Sequence, residues 1–492
     1  GMEQLAVGRS ETPSMRRHVT TGSPFPAGSD EWMREKAERD SAACSAIPPH
    51  LHLIHGTLYD LRSFATEHPG GRSWIENTAG HDCTVNFESH HLNMPYVLKV
   101  LARHESDEDF TVTAPNAAAA YAWPSREDCL YTQLRSAVWK RVRENGGEGP
   151  TMFMQALCAL ALLLWCASFA SLLRSGTFIG AAAFGYCTYV MMGVGHNFFH
   201  QRDGWWRFVF DLTVFSSDDW RVSHGWSHQC VIYVHRARFL GVVPQMRLSH
   251  TSSPVSPSCS LFPNLPMDLE ASGLEPHASF MRSVPSNSLL IYLYWHPLAF
   301  VSAAQQFVDL YRRIIFGVSR FTWQDVLCPL QLIALVYAHG ARGAALFFVA
   351  HGFAVWLLQV FSTVLHRSEH SWTEGCGGGA ATFFEHTLIS TEAYWVQYSH
   401  DWPRLGLVAA VFVSASFHNH IAHHLFETLD CSKHYLVFTP LIELCKANGK
   451  VHLIEHLVDQ GGGAYLELAL STLRVWCRGD ELLYTPRGLT RS

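Results

Sequence analysis

Long uncharged runs alternate with polar, histidine-rich ones along the chain, and the uncharged runs set the architecture. Met152 to Leu173 is 22 residues without a charge, Thr177 to Gly195 is 19 more, and only Arg174, Ser175 and Gly176 separate them. At about 1.5 Å per helical residue each run reaches across a hydrocarbon core of about 30 Å, which predicts a transmembrane helical hairpin. A second pair runs from Trp323 to Gly340 and from Ala344 to Leu365 around a turn at Ala341 to Gly343. Ser288 to Val308 is a fifth uncharged stretch, broken by Trp295-His296-Pro297. It is expected to lie at the interface or re-enter rather than span, so that four crossings keep the histidine clusters before and after it on one side. Lys140, Arg141 and Arg143, with Arg312, Arg313 and Arg320, outnumber Arg174 and Arg342 in the short turns. The positive-inside rule then puts both ends of the helical domain in the cytosol.

The remaining segments divide the chain further. Residues 1–45 are rich in Ser, Pro, Gly and charge and predict a mobile tail. Residues 46–110 hold a short apolar stretch at Leu51 to Ile54, a turn at Gly56, strand-like Leu58 to Leu61 and then helix-like segments. A unit this small usually leans on something extra, such as a cofactor. Residues 111–150 read as an Ala- and Pro-containing linker followed by a basic amphipathic run, Arg126 to Arg143, approaching the membrane. Residues 151–475 form the helical domain.

Composition adds one clue and removes several classes. With 48% apolar and 16% charged residues the chain is neither disordered nor fibrous, and a net charge of -6 offers no field for nucleic acid. The 13 Cys form no C-x-x-C pair and no secretory leader pattern opens the chain, so free thiols in a reducing compartment are expected. The 30 His nearly match the 36 Lys plus Arg, and imidazole is the commonest protein ligand for transition metals.

The first histidine group is His68-Pro69-Gly70-Gly71, then Gly80-His81-Asp82-Cys83-Thr84, Phe87, and His90-His91, 22 and 23 residues after His68. An electron-transfer haem wants two axial ligands and apolar walls, here Leu61, Phe64, Trp74, Ile75 and Phe87. The glycines let the backbone approach the ring edge. These residues, with Gly56 and Tyr59-Asp60, resemble cytochrome b5 over roughly Leu53 to His104. The resemblance implies a haem b held by His68 and His91, with His90 in reserve.

The second group is spread along the helical domain. His196 and His200 form H-x-x-x-H after the first hairpin, His224 and His228 repeat the spacing, and His420, His423 and His424 follow late, with His418 just upstream. One such pair arises by chance on a helix face. Three clusters on one side of a membrane point to metal, because burying that much imidazole without it is costly.

This arrangement resembles the membrane fatty acid desaturase and hydroxylase superfamily, and with the N-terminal domain its cytochrome b5-fused, b5-related branch. His-Asn-Phe-Phe-His, Pro263-Asn264 with Asp268-Leu269-Glu270, and His423-His424-Leu425-Phe426 with Thr428-Leu429-Asp430 carry it. The resemblance implies a multidomain chain: a small α+β haem domain and an all-α domain with four transmembrane helices. It also implies two non-haem irons on His196, His200, His224, His228, His420, His423 and His424, with His366 and His370 as further candidates. The implied activity is O2-dependent desaturation of a lipid acyl substrate, with hydroxylation or electron carriage by an inactive relative as alternatives. No G-x-G-x-x-G fingerprint follows a strand, so an NADH-dependent cytochrome b5 reductase is the expected partner. The class implies residence in the endoplasmic reticulum membrane.

Two departures stand out. Family members carry a double His at the second cluster followed at once by Pro-Asn, whereas here His228-Gln229 is separated from Pro263-Asn264 by Cys230 to Ser260. Residues 230–260 fit a retained intron whose in-frame removal would restore His-His-Leu-Phe-Pro-Asn. The family's His-rich stretch after the second hairpin appears here as His366-Arg-Ser-Glu-His370. Other features are discounted. His351 is expected to be a packed polar residue, His50, His52, His55 and His104 surface groups, and Gly377 to Gly379 a loop. Trp205-Trp206 suit an interfacial helix.

Overall fold

The structure, a computed structural model, describes residues 47–48, 50–80, 83–108, 129–221, 224–225, 288–316, 321–365 and 382–454, with single positions 457, 465, 467, 469 and 470. The expected tail, the suspected insertion at 230–260, the loop at 377–379 and His228, His366 and His370 lie outside these residues.

Two short antiparallel strands, β1 (His52–Ile54) and β2 (Thr57–Tyr59), pair His52 with Tyr59 and Ile54 with Thr57 around the turn at Gly56. Helices α1 (Arg72–Thr78), α2 (Thr84–His90) and α3 (Met94–Leu101) complete the N-terminal unit, whose core includes Ile54, Leu61, Phe87 and Leu101. His52 is not the surface residue expected from sequence. It is 2% exposed, and its Nε2 lies 2.9 Å from the Ile75 carbonyl, because strand pairing turns it under α1. His50 and His104 are half-buried, while His55 is exposed and spends its Nε2 on Glu88 at 2.7 Å.

The basic run before the membrane becomes α4 (Leu130–Glu144), and its apolar face does not face lipid. Tyr131, Leu134, Val138 and Val142 recur at helical spacing and are buried against Val85 and Leu92 of the N-terminal unit and Phe383, Leu425 and Leu441 beyond the hairpins. Tyr131 donates to the carbonyls of Glu88 at 3.2 Å and Leu425 at 2.8 Å. Arg135 and Glu88, each with 3% side-chain exposure, form an ion pair. Burial pushes the Glu88 carboxyl up, but the His55 contact and the Arg135 charge more than reverse this and hold it below the ordinary carboxylate range. Replacing Glu88 by Ala would strand a buried guanidinium, and a loss of about 3–5 kcal/mol is expected in denaturant unfolding of the full chain.

Helices α5 (Met152–Ser175) and α6 (Phe178–Phe199) form the first hairpin. Gly176, in the left-handed region at φ 55°, ends α5, and Thr177 caps α6 by accepting from the Gly180 N–H. A 3-10 helix over Trp205–Leu212 and the single turn α7 (Ser217–Trp220) follow. Next come α8 (Ser288–Ile315), α9 (Leu327–His339) and α10 (Ala341–Ser362). The turn between α9 and α10 meets the turn of the first hairpin, with His339 Nε2 3.0 Å from the Leu173 carbonyl. Both hairpin turns therefore share one end of the domain, and His196, near the far end of α6, lies at the other.

Among the described residues three helices are long and apolar enough to cross a membrane: α5, α6 and α10. The expected arm Trp323 to Gly340 is helical over less of its length than its apolar run suggests. A Thr322–Asp325 capping box starts a 3-10 turn at Trp323–Val326, leaving only 13 residues for α9, about 20 Å of helix against a core of about 30 Å. The stretch at Ser288 to Val308 belongs to one continuous helix, α8, without the break expected at Trp295-His296-Pro297. The chain closes with α11 (Phe383–Ser390), α12 (Val396–Asp401), α13 (Pro403–Phe412), α14 (His420–Leu425) and α15 (Tyr435–Ala447). Residues 403–412 and 417–425 meet at 110°, a bend that would make them one broken span or a re-entrant loop and so raise the number of crossings to four. His351 packs in α10 between Phe184 and Phe347, fully buried, with Nε2 3.3 Å from Gln331 Oε1, as expected for a packed polar residue.

Candidate haem and metal centres

His68 stands in the turn before α1 and His91 directly after α2. Gly71, at φ 100°, makes that turn possible, and its carbonyl faces His68 Nδ1 at 3.2 Å. His91 Nδ1 faces the Phe87 carbonyl at 2.8 Å. A carbonyl only accepts, so both Nδ1 atoms carry the hydrogen and both Nε2 lone pairs are left to bind. The two rings have centroids 6.2 Å apart. An iron about 2 Å from each Nε2 would put two axial ring centres about 6 Å apart, so the pair fits a haem iron. Burial pushes His91 down to about 4 and lowers His68 as well, which keeps both imidazoles neutral as ligands.

A cavity of about 870 Å³ surrounds the pair, and all five walls expected from sequence, Leu61, Phe64, Trp74, Ile75 and Phe87, line it. It also reaches residues of the helical domain, among them Phe198, His200, Gln201, Trp205 and Trp206. Trp205 and Trp206 stack at 3.8 Å, Trp205 being 58% exposed, so this pair walls the haem cavity besides marking a surface. The two units are bonded at this junction. Asp203 N–H donates to the Pro69 carbonyl at 3.0 Å, Arg221 donates to Ser73 Oγ at 3.4 Å and to Asp203 at 3.2 Å, and Thr428 Oγ1 donates to the His90 carbonyl at 3.1 Å. Gly225 lies so close to Trp74 that a Cβ there would sit 2.5 Å from the indole.

Beyond the cavity four imidazoles from distant parts of the chain converge. His196 and His200 come from the end of α6, His224 from just after α7 and His423 from α14, and each offers a nitrogen within 4.8 Å of the others. His196 Nε2 and His224 Nε2 face each other at 2.8 Å. Burial, reinforced by the neighbouring imidazoles, lowers His200 well below its ordinary value. Four buried imidazoles around one point fit a transition-metal ion. His420 and His424 stand beside this group with their Nε2 atoms 3.1 Å apart and the His420 ring 5.4 Å from that of His423. His418 is turned elsewhere, its Nδ1 3.2 Å from Ser414 Oγ.

Residues not singled out as ligands hold the clusters in place. Asp430 accepts from Asn197 at 2.8 Å and Gln201 at 2.9 Å, and Asn197 Oδ1 accepts from the Cys431 N–H at 3.0 Å, locking the helix of the first cluster to the segment after the third. His434, whose ring is 6.1 Å from that of His423, has its Nε2 3.0 Å from the Leu429 carbonyl. Glu427 has fully buried carboxylate contacts to His90 and His200. Asp430 was visible in sequence within Thr428-Leu429-Asp430, whereas nothing in the local pattern marks Glu427.

Comparisons with known proteins cover the two parts of the chain unequally. Residues 45–108 match the cytochrome b5-like Heme/Steroid binding domain family. Over 459 residues the chain is 26% identical to a cytochrome b5-related protein of Drosophila melanogaster, covering 87% of this chain and 89% of that one. It is 41% identical over 78 residues to an acyl-lipid omega-13 desaturase of Chlamydomonas reinhardtii, 16% of this chain and 15% of that one. It is also 32% identical over 88 residues to a nitrate reductase [NADH] of Brassica napus, 18% of this chain and 9% of that one. No solved structure matches. The chain therefore carries a cytochrome b5-like domain, of the kind found in oxidoreductases, on a mostly helical remainder with apolar helices suited to a membrane.

Proposed function

We propose that the chain is a membrane-bound oxidoreductase in which a b5-type haem on His68 and His91 feeds a polyhistidine non-haem iron centre that acts on lipid acyl chains, most simply as a desaturase. The observation that carries this is the meeting of His196, His200, His224 and His423 within 4.8 Å of one another, with His200 also lining the cavity around His68 and His91. His420 and His424 would contribute to a second ion, together with His228, His366 and His370. Iron held by neutral imidazole supplies the oxidising power that removing hydrogen from an unactivated methylene requires, with O2 as oxidant and two electrons delivered through the haem. The chain's own part is to keep the imidazoles neutral by burial, to exclude water from them and to hold the haem unit against them. An NADH-dependent cytochrome b5 reductase would reduce the haem from the cytosol, and the endoplasmic reticulum membrane would supply the lipid.

A carrier reading has its own support, because similarity to the desaturase is confined to 78 residues while that to the cytochrome b5-related protein spans 459. Iron content separates the two. The purified full chain is expected to hold one haem iron and about two non-haem irons, measured by total iron against haem absorbance. One iron in all would leave the carrier. Lipids of cells expressing the chain should then gain a double bond, and a new hydroxyl in its place would make it a hydroxylase.

A further inference from the structure

His90 and His200 meet on one carboxyl oxygen. Glu427 Oε2 lies 3.2 Å from His90 Nε2 and 3.3 Å from His200 Nδ1, with side-chain exposures of 0% for Glu427 and His200 and 11% for His90. His90 directly precedes the haem-binding His91, and His200 belongs to the four-imidazole group. His90 Nδ1 faces the Asn86 carbonyl at 2.9 Å and so carries a hydrogen, which leaves its Nε2 turned to Glu427 Oε2. The His90 ring cannot drift from this position. The Trp74 indole stands edge-on to it at 4.7 Å and is pinned in turn against Gly225.

We propose that Glu427 is the positioning residue that couples the two redox sites. With haem held by His68 and His91 and iron by the imidazole group, one electron given up by the haem, ferrous to ferric, would pass by way of His91, His90, Glu427 and His200 and reduce one ferric ion there to ferrous. This rests on the function proposed above. Covalent bonds and two N···O contacts of 3.2 and 3.3 Å span the whole path, with fewer intervening residues than the route from His68 through the Pro69–Asp203 hydrogen bond to Gln201 and His200. A single oxygen serves both imidazoles, and a carboxyl can accept a hydrogen on one side while sharing one on the other. The terminal atoms of an amide cannot: its oxygen suits only His200 Nδ1–H, and its NH2 suits only His90 Nε2.

The test uses the full chain loaded with haem and with ferrous iron, then oxidised. The haem is reduced by a light flash, and its reoxidation is followed by absorbance. Glu427→Gln and His90→Phe are each expected to slow reoxidation at least tenfold when compared with the wild type at equal haem and non-haem iron loading. The double variant is expected to be no slower than either single one, as residues on one route require. A wild-type rate in Glu427→Gln, or slowing that multiplies in the double variant, overturns the proposal. A second readout needs no non-haem iron. In the metal-free, haem-loaded chain Glu427→Gln should shift the haem midpoint potential, and the shift should vanish in the His90→Phe background. An unshifted potential overturns the contact on which the route depends. A wild-type chain that takes up no non-haem iron overturns the proposed function and the electron route with it, while the potential still reports the contact by itself.

Discussion

Replacing His91 by Ala is expected to yield a chain without bound haem, while His90→Ala retains it with a bis-imidazole spectrum. The two histidines are adjacent, both buried enough to stay neutral, and each sets its Nδ1 against the carbonyl four residues earlier. What separates them is the direction of Nε2. The His91 ring faces His68 across 6.2 Å, a gap that one iron fills, whereas His90 Nε2 is turned to Glu427 at 3.2 Å. Removing His91 leaves one axial ligand and a haem held only by apolar walls. Removing His90 leaves both ligands and takes away a contact to the neighbouring unit. Haem content of the purified variants, read as Soret absorbance against protein, checks this. Haem retained by His91→Ala and lost by His90→Ala would reverse the assignment.

What could be read from sequence follows how local the determinants are. The approach of His68 to His91 was legible because the turn at Gly70-Gly71, the helix between and the carbonyl contacts of both rings all lie within some two dozen residues. The first hairpin was legible because its charge-free runs need no partner to identify them, whereas the meeting of His339 with Leu173, which sets the two turns side by side, depends on packing. The second hairpin was legible in its turn but not in its first bound, because an apolar run does not reveal where a helix starts. The Thr322–Asp325 cap consumes its first turn. The basic run at Arg126 to Arg143 suggested lipid headgroups, since Glu88, which neutralises Arg135, lies 47 residues earlier and far from any shared pattern. His52 was misplaced for the same reason: its partner is the Ile75 carbonyl, fixed only once α1 packs over the strands. Glu427 was illegible because its role exists only between two units that meet in space.

The imidazole group can be tested apart from the haem. Replacing both His196 and His224 by Ala is expected to abolish non-haem metal uptake while haem content stays at the wild-type level. Their Nε2 atoms are 2.8 Å apart, so they face the same ion, and their loss leaves His200 and His423 of the four. Removing an outer partner of a metal ligand typically costs about 10–100-fold in affinity, so losing two ligands outright should exceed about 100-fold. His68 and His91 belong to the N-terminal unit and hold haem without either residue. The measurement is thermal unfolding of the haem-loaded chain with and without added ferrous iron. An ion that binds only the folded wild type raises its melting temperature as its concentration rises, by mass action, and the double variant should show no such rise. Without metal, the variant should be no less stable than a cavity-forming substitution of this size implies, because the wild type then carries the desolvation of two buried imidazoles with no ion to offset it. A double variant whose stability still climbs with ferrous iron as steeply as the wild type would place the metal elsewhere and remove the centre on which the proposed oxidase depends.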